Sequence, residues 1–256
     1  MKKAIIGGTG VYGMGEAGRV ETVATPYGSV EVDLVTLGKE EVVFLARHGK
    51  KHSVPPHLIN YRANMKALEQ LGVKWIYATA AVGSCNESFA PGDLVVINDF
   101  LDFTKNRPVT YFEGGDAPVG HVDMTTPYCP MLREKFMAAA AAASITIKGE
   151  GVYVCTEGPR FESHQEIRMF RMLGGDVVGM TNIPEAIFAK ELGMCYATVG
   201  MISNWCTGMQ QDQIALHDIE AALGNNKEKL TQAFLKVFEA TLDQHHCTCN
   251  RSVVTL

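Results

Sequence analysis

The sequence predicts a single α/β domain, a sandwich with a largely buried central sheet between helices. Three observations predict it. Short apolar runs alternate with segments of helical spacing along the whole length, the pattern of strand–helix units. At 256 residues the chain is long enough to bury a core of its own. Its 46% hydrophobic and 20% charged residues are ordinary for a globular protein and exclude a disordered one. Residues 1–256 read as one domain, with 245–256 as a C-terminal tail.

The elements follow in order. Lys3–Gly7 is a short apolar run stopped by glycine. Residues 11–28 hold Gly13, Gly15, Gly18, Pro26 and Gly28 and read as loop and hairpin. Ser29–Leu37 alternates apolar and polar residues, the signature of a half-buried strand, and Glu41–Ala46 is a further strand. His57–Leu71 has helical spacing and ends at Gly72. Lys74–Ala81 and Asp93–Asn98 read as strands, the first broken by Gly83-Ser84. Residues 104–128 lack regular pattern, and a loop of that length is usually functional or held by a partner. Pro130–Ala143 is helical, with proline suited to its first turn. Val152–Cys155 is a strand, Ser163–Leu173 a helix with a serine N-cap, Asp176–Val178 a strand and Pro184–Leu192 a helix. Met194–Ser203 is a long apolar strand, and Ile214–Gly224 and Lys227–Asp243 close the chain as two helices.

Composition also narrows the partners. The net charge of −5 argues against nucleic acid or an anionic membrane as partner. No apolar run reaches the ~18 residues of a membrane span, and the start lacks a signal-peptide core, so the cytoplasm is the expected compartment. The seven cysteines are scattered and odd in number, unlike a secreted disulfide framework. Those before residue 245 read as reduced thiols. His245-His-Cys-Thr-Cys249 could be a redox or metal tag, or an unstructured tail.

Candidate chemistry clusters at strand ends. Gly8-Thr-Gly10-Val-Tyr-Gly13 spells G-x-G-x-x-G after a strand, with Glu31 and Asp33 at dinucleotide-binding range. No helical pattern follows it, so an anion-binding loop built from backbone amides and Thr9 is the better reading. Arg47-His48 ends a strand, where a fork-shaped cation is held rigidly for an anion. His52 and His57 flank Pro55-Pro56 without a third ligand at metal spacing, so no metal is expected. In Glu157-Gly-Pro-Arg-Phe161-Glu162 an aromatic can stack on a flat base and a carboxylate can accept its N–H groups. Thr181 lies between a strand end and a helix start, fit either for an anion or for an N-cap. Asn204, ending the strand 194–203, offers both a donor and an acceptor. Each of these residues alone also fits an ordinary structural role.

Together, GGTG at 7–10, LARHG at 45–49, NYRAN at 60–64, EGPRFE at 157–162 and GMTNIPEA at 179–186 resemble the trimeric purine nucleoside phosphorylase and methylthioadenosine phosphorylase family. The resemblance runs in order over nearly the whole chain. It implies a single α/β domain with a mixed central sheet, a homotrimer, and phosphorolysis of a purine nucleoside in purine salvage. No metal or organic cofactor is implied; inorganic phosphate is a co-substrate. By resemblance Thr9, Arg47, His48, the Ala81 amide and Thr181 hold phosphate, Met180 packs on ribose, and Phe161 stacks on the base. Asn204 and His48 carry the catalytic roles. His121, in the long loop, resembles a residue that reaches a neighbouring subunit's site.

Relatives acting on 6-aminopurines carry aspartates where this chain resembles them at Asn204 and Cys206. With Asn204 and Glu162 instead, the chain resembles the 6-oxopurine members, whose substrates are inosine and guanosine. A carboxylate suits their N1–H, whereas adenine presents an acceptor there. His217 stands where 6-oxopurine ribonucleoside enzymes place a histidine on the 5′-hydroxyl. S-methyl-5′-thioinosine is the alternative substrate. Ala80, where relatives often carry Thr or Asn, and Trp205-Cys206 beside the base depart from the family pattern. The Cys-x-Cys of 247–249 is similar to one that forms a disulfide in some heat-stable relatives.

Overall fold

A computed structural model of the chain describes residues 2–11, 16–115, 118–210 and 216–255, without the side chains of 16, 17, 216–218, 220, 221 and 225. Among these residues eleven strands and five helices alternate. The strands are β1 (Lys2–Gly7), β2 (Glu16–Thr25), β3 (Gly28–Leu37), β4 (Glu40–Ala46), β5 (Val73–Ser84), β6 (Leu94–Phe103), β7 (Gly120–Val122), β8 (Gly149–Thr156), β9 (Val177–Gly179), β10 (Cys195–Trp205) and β11 (Val253–Thr255). The helices are α1 (Tyr61–Gln70), α2 (Pro130–Ala142), α3 (His164–Met172), α4 (Asn182–Glu191) and α5 (Leu216–Glu239).

Nine strands form one mixed sheet in the order β10-β6-β8-β9-β5-β1-β4-β3-β2, and β10 also pairs with β5. The second pairing closes β5, β10, β6, β8 and β9 into a ring, and β1, β4, β3 and β2 extend from it as an open arm. Strands β1, β4, β5 and β10 run parallel, so their carboxyl ends share one edge. Crevices at that edge are where α/β folds bind ligands.

Burial follows the two-residue period of a strand. On β5, Ile76, Ala78, Ala80 and Val82 join one core cluster, while Trp75 and Tyr77 join the other. On β4, Val43 and Leu45 face the first and Val42 and Phe44 the second. Phe188 of α4 and Met65 of α1 cover one face. Phe136 of α2 and Phe234 and Phe238 of α5 cover the other. The buried central sheet expected from the sequence is therefore present.

Several boundaries differ from the sequence reading. Residues 16–25, read as loop and hairpin, form edge strand β2, paired antiparallel with β3. The helix expected from His57 begins at Tyr61, capped by the Asn60 side chain on the Ala63 amide, and Pro56–Leu58 form a separate 3-10 turn. Strand β5 continues through Gly83-Ser84, because those residues pair with β9. The two expected final helices are one: α5 runs through Gly224, with 211–215 outside the described residues. A helical glycine costs ~1 kcal/mol. The buried Leu223, Leu230, Ala233, Phe234 and Val237 on the same helix outweigh it.

The segment 245–255, read as a tail, is packed. Cys247 and Cys249 are buried, a 3-10 turn spans Cys249–Arg251, and β11 pairs antiparallel with β7. Among the described residues no helix is long and apolar enough to cross a membrane.

Candidate active site

The carboxyl-end edge of the sheet opens into one cavity. Thr9 enters from the loop after β1, Arg47 and His48 from the end of β4, and Ala80, Ala81 and Gly83 from β5. Phe161 and Glu162 come from the loop after β8, Met180 and Thr181 from the turn between β9 and α4. Ser203 and Asn204 end β10, and Cys206, Thr207 and Ile219 complete the wall.

One end of the cavity gathers groups that can donate to an anion. The Gly8 amide donates to Thr79 Oγ1 at 3.0 Å, and a Cβ on Gly8 would stand 2.6 Å from the Thr79 carbonyl oxygen. Glycine is thus required for the loop to approach β5 so closely. Residues 12–15, within and just after the G-x-G-x-x-G segment, lie outside the described residues; from Glu16 the chain is strand β2, where a dinucleotide fold would run a helix, so the dinucleotide reading fails. Arg47 is only 3% exposed; its Nη1 donates to the Thr79 carbonyl at 2.8 Å. Its Nε and Nη2 donate to the two Glu185 oxygens at 2.5 and 2.8 Å. Burial pulls its pKa down, but the Glu185 carboxylate outweighs burial, and Arg47 is held charged more firmly than a free guanidinium.

His48 Nδ1 lies 2.9 Å from the Val54 carbonyl. Burial first, and the Arg47 charge second, push its pKa down to about 4. The ring is therefore neutral at physiological pH. With Nδ1–H donating to Val54, Nε2 is left as an acceptor. Thr181 occupies the N-cap position of α4, yet its side chain caps nothing, and its amide donates to Tyr153 Oη at 3.3 Å. A buried threonine that does not cap a helix start fits an anion better than a cap.

The other end mixes flat and polar groups. Phe161 stands at the rim, 53% exposed. Glu162 is buried; its Oε1 accepts from Thr156 Oγ1, 2.7 Å away, and its carboxylate also accepts from its own backbone amide. Burial raises its pKa, with the Thr156 hydroxyl opposing. The Asn204 amide is oriented by two bonds: Oδ1 accepts from Ser203 Oγ at 2.7 Å, and Nδ2 donates to the Trp205 carbonyl at 2.8 Å. One Nδ2 hydrogen remains for a ligand. Cys206 is buried in a small cluster with Cys85, Ile167 and Phe170.

His121 lies on β7, exposed, and does not line the cavity. His217 is on the first turn of α5, two residues before Ile219, but its side chain falls outside the described residues.

Sequence reasoning missed Glu185 and Arg107. Glu185, 1% exposed on α4, also accepts from Tyr196 Oη at 2.6 Å. Arg107 ties the long loop to the site, donating to the Met180 and Glu157 carbonyls at 2.7 and 2.6 Å. The one signal for Glu185 was an acidic residue inside the otherwise apolar Ile183–Ala189 run. For Arg107 there was none.

Residues 2–239 match the model of the phosphorylase superfamily. The chain is 48% identical to the 6-oxopurine nucleoside phosphorylase of Pyrococcus furiosus over 252 residues, 96% of this chain and 95% of that protein. It is 45% identical over 250 residues to a Methanopyrus kandleri protein named "Probable S-methyl-5'-thioinosine phosphorylase", 97% of this chain and 96% of that one. The structure of methylthioadenosine phosphorylase from Schistosoma mansoni, in complex with adenine, superposes with a TM-score of 0.89 at 30% identity, over 95% of this chain and 93% of that one.

Proposed function

The chain belongs to the phosphorylase superfamily, and on that footing we propose that it phosphorolyses 6-oxopurine nucleosides, inosine and guanosine, to the free base and α-ribose 1-phosphate. The observation that carries the substrate class is the pairing of buried Glu162 with Asn204 in one cavity, with no carboxylate at 204 or 206. The Glu162 carboxylate, with lone pairs to spare, accepts N1–H of a 6-oxopurine. Adenine would set its N1 lone pair against that carboxylate, with no hydrogen between them.

Phosphate is held by Thr9, Arg47, His48, the Ala81 amide and Thr181. Since Glu185 balances Arg47, the guanidinium acts as a rigid set of donors, with N–H groups left on both Nη atoms. Neutral His48 accepts from the O–H of the hydrogen phosphate dianion through Nε2. Met180 packs on the ribose and Phe161 on the base.

A phosphate oxygen bonds to C1′ as the C1′–N9 bond breaks, and the bond pair leaves with the purine. The phosphate dianion stabilises the cationic sugar. The free Asn204 N–H stabilises charge growing at N7. The phosphate hydrogen is lost to solvent and the base takes up one, so the products balance. Fixing phosphate beside C1′ also removes much of the entropic barrier. This chemistry uses no metal or organic cofactor.

A homotrimer completes the site, with His121 on exposed β7 reaching a neighbouring copy's cavity. Purine salvage in the cytoplasm is the setting. A second reading, S-methyl-5′-thioinosine as substrate, is favoured by the apolar Ile219 on the cavity wall. The test is release of hypoxanthine from inosine with and without phosphate, with ribose 1-phosphate measured in parallel. Release only with phosphate, in equal amount with the sugar phosphate, supports the proposal. Release without phosphate makes the chain a hydrolase and refutes it.

A further inference from the structure

Away from the cavity, four cysteines converge. Cys129 is the N-cap residue of α2, Cys195 opens β10, and Cys247 and Cys249 lie in the C-terminal segment. All four are buried, and their sulfurs lie within 4.8 Å of one another. Cys195 and Cys247 sulfurs are 3.5 Å apart. None of the four lines the catalytic cavity.

The arrangement decides between three uses of such sulfurs. A disulfide draws two sulfurs together to about 2.05 Å, whereas all four cysteines here are free thiols. Here each sulfur neighbours the other three. A tetrahedral ion with metal–sulfur bonds of about 2.3 Å sets its ligands ~3.8 Å apart, a separation within the 4.8 Å that bounds this cluster. Simple packing of thiols needs no convergence from three separate parts of the chain.

We infer that Cys129, Cys195, Cys247 and Cys249 form a structural zinc site. An all-sulfur tetrahedral donor set suits zinc and leaves no open position for a substrate, so the ion is structural rather than catalytic. Two ligands sit at fixed points, a helix start and the first residue of a strand. The Cys-x-Cys pair supplies the others from one short turn. Supporting bonds are in place: Gln244 Nε2 donates to Cys195 Sγ at 3.4 Å and to the Gly193 carbonyl at 3.0 Å. Lys190, 2% exposed, places a cation near Cys249, against the double negative charge of a zinc tetrathiolate. Ser252 Oγ joins this corner, donating to the Lys190 and Cys249 carbonyls at 3.3 and 3.0 Å.

The site clamps the C-terminal segment onto α2 and β10. That segment carries β11, which is the partner strand of β7. Asp123, just beyond β7, donates its amide to the Ser252 carbonyl at 2.8 Å. The ion therefore also steadies the end of the long loop that bears His121.

The test uses the full-length protein. Zinc content as purified without chelator is measured first, then apo protein under reducing conditions is titrated with Co(II). About one zinc per chain, and one Co(II) giving thiolate charge-transfer and strong tetrahedral bands, are expected. Zinc should displace the Co(II) and raise the melting midpoint. Cys249→Ser should lose the tetrahedral bands, and Cys247→Ser gives the same reading if the first variant does not fold. Cys85→Ser, outside the cluster, should keep them. No metal as purified together with the mass of two disulfides would overturn the inference in favour of cross-links. No metal, no Co(II) thiolate bands and free thiols would overturn it in favour of plain packing.

Discussion

Glu185 grips Arg47 through two parallel bonds, Nε to Oε1 at 2.5 Å and Nη2 to Oε2 at 2.8 Å, with both side chains 1% exposed. The two residues are 138 positions apart, one at the end of β4 and the other on α4. The pair fixes the guanidinium plane before any anion arrives. Removing the carboxylate leaves an uncompensated buried cation. Glu185→Ala should therefore lower stability by about 3–5 kcal/mol. It should also raise the phosphate KM by more than the nucleoside KM. Chemical denaturation and steady-state kinetics read the two effects. Glu185→Ala with unchanged stability and phosphate KM would refute the positioning role.

Acid pH should act through Glu162 before His48. Burial raises the Glu162 pKa, so its carboxylate is lost at a higher pH than an ordinary glutamate's. Base recognition needs the ionised form, and kcat/KM for inosine should fall on an acid limb beginning above pH ~4.5. Glu162→Gln should remove that limb and lower kcat/KM by roughly 10–100-fold, the worth of a hydrogen bond to a charged group. A limb unchanged in the variant would assign it to another residue.

His48 itself should titrate at about 4, well below a free imidazole. The unfolded chain binds its proton at a higher pH, near 6.5. Between these values the unfolded state holds more protons, so His48 adds stability that is present above pH ~6.5 and lost as pH falls through about 4. Imidazole NMR signals followed against pH give the value directly. A midpoint near 6.5 would contradict the neutral, proton-accepting role.

Arg107 joins the loop after β6 to the backbone of Met180 and Glu157. Arg107→Ala takes this donor from the Glu157 carbonyl and leaves the Met180 carbonyl only the longer bond from Tyr61 Oη at 3.5 Å, costing about 1–3 kcal/mol. The nucleoside KM should rise, because Met180 loses its anchor. Arg107→Lys should not restore it, since one ammonium cannot span the fork's partners. Full rescue by lysine would show that charge alone matters.

The sequence made the sheet readable where strands are buried on both faces. Apolar runs such as Ile5, Val43 and Ile76 have that character whatever their neighbours. Edge strand β2 was hidden by Gly18 and the glycines and proline around it, because its pairing with β3 is a long-range fact. Gly224 marked a false break, since local propensity is overridden by packing. Thr9, Arg47, Glu162, Thr181 and Asn204 could be singled out because each lies at a strand end or in the loop that follows one, and parallel strand ends meet at one edge. Glu185 could not be matched to Arg47, nor Cys129 to Cys249. Such pairs exist only once the chain has folded.

The central claim is that Glu162 and Asn204 select a 6-oxopurine. Asn204→Asp with Cys206→Asp should move activity toward adenosine, and His217→Val should hurt inosine more than methylthioinosine. The most direct test is phosphate-dependent base release from inosine, adenosine, 5′-methylthioinosine and 5′-methylthioadenosine under identical conditions. Fastest release from inosine is the predicted result. Faster release from methylthioinosine would keep the base assignment and change the sugar. Preference for either adenine nucleoside would contradict the account.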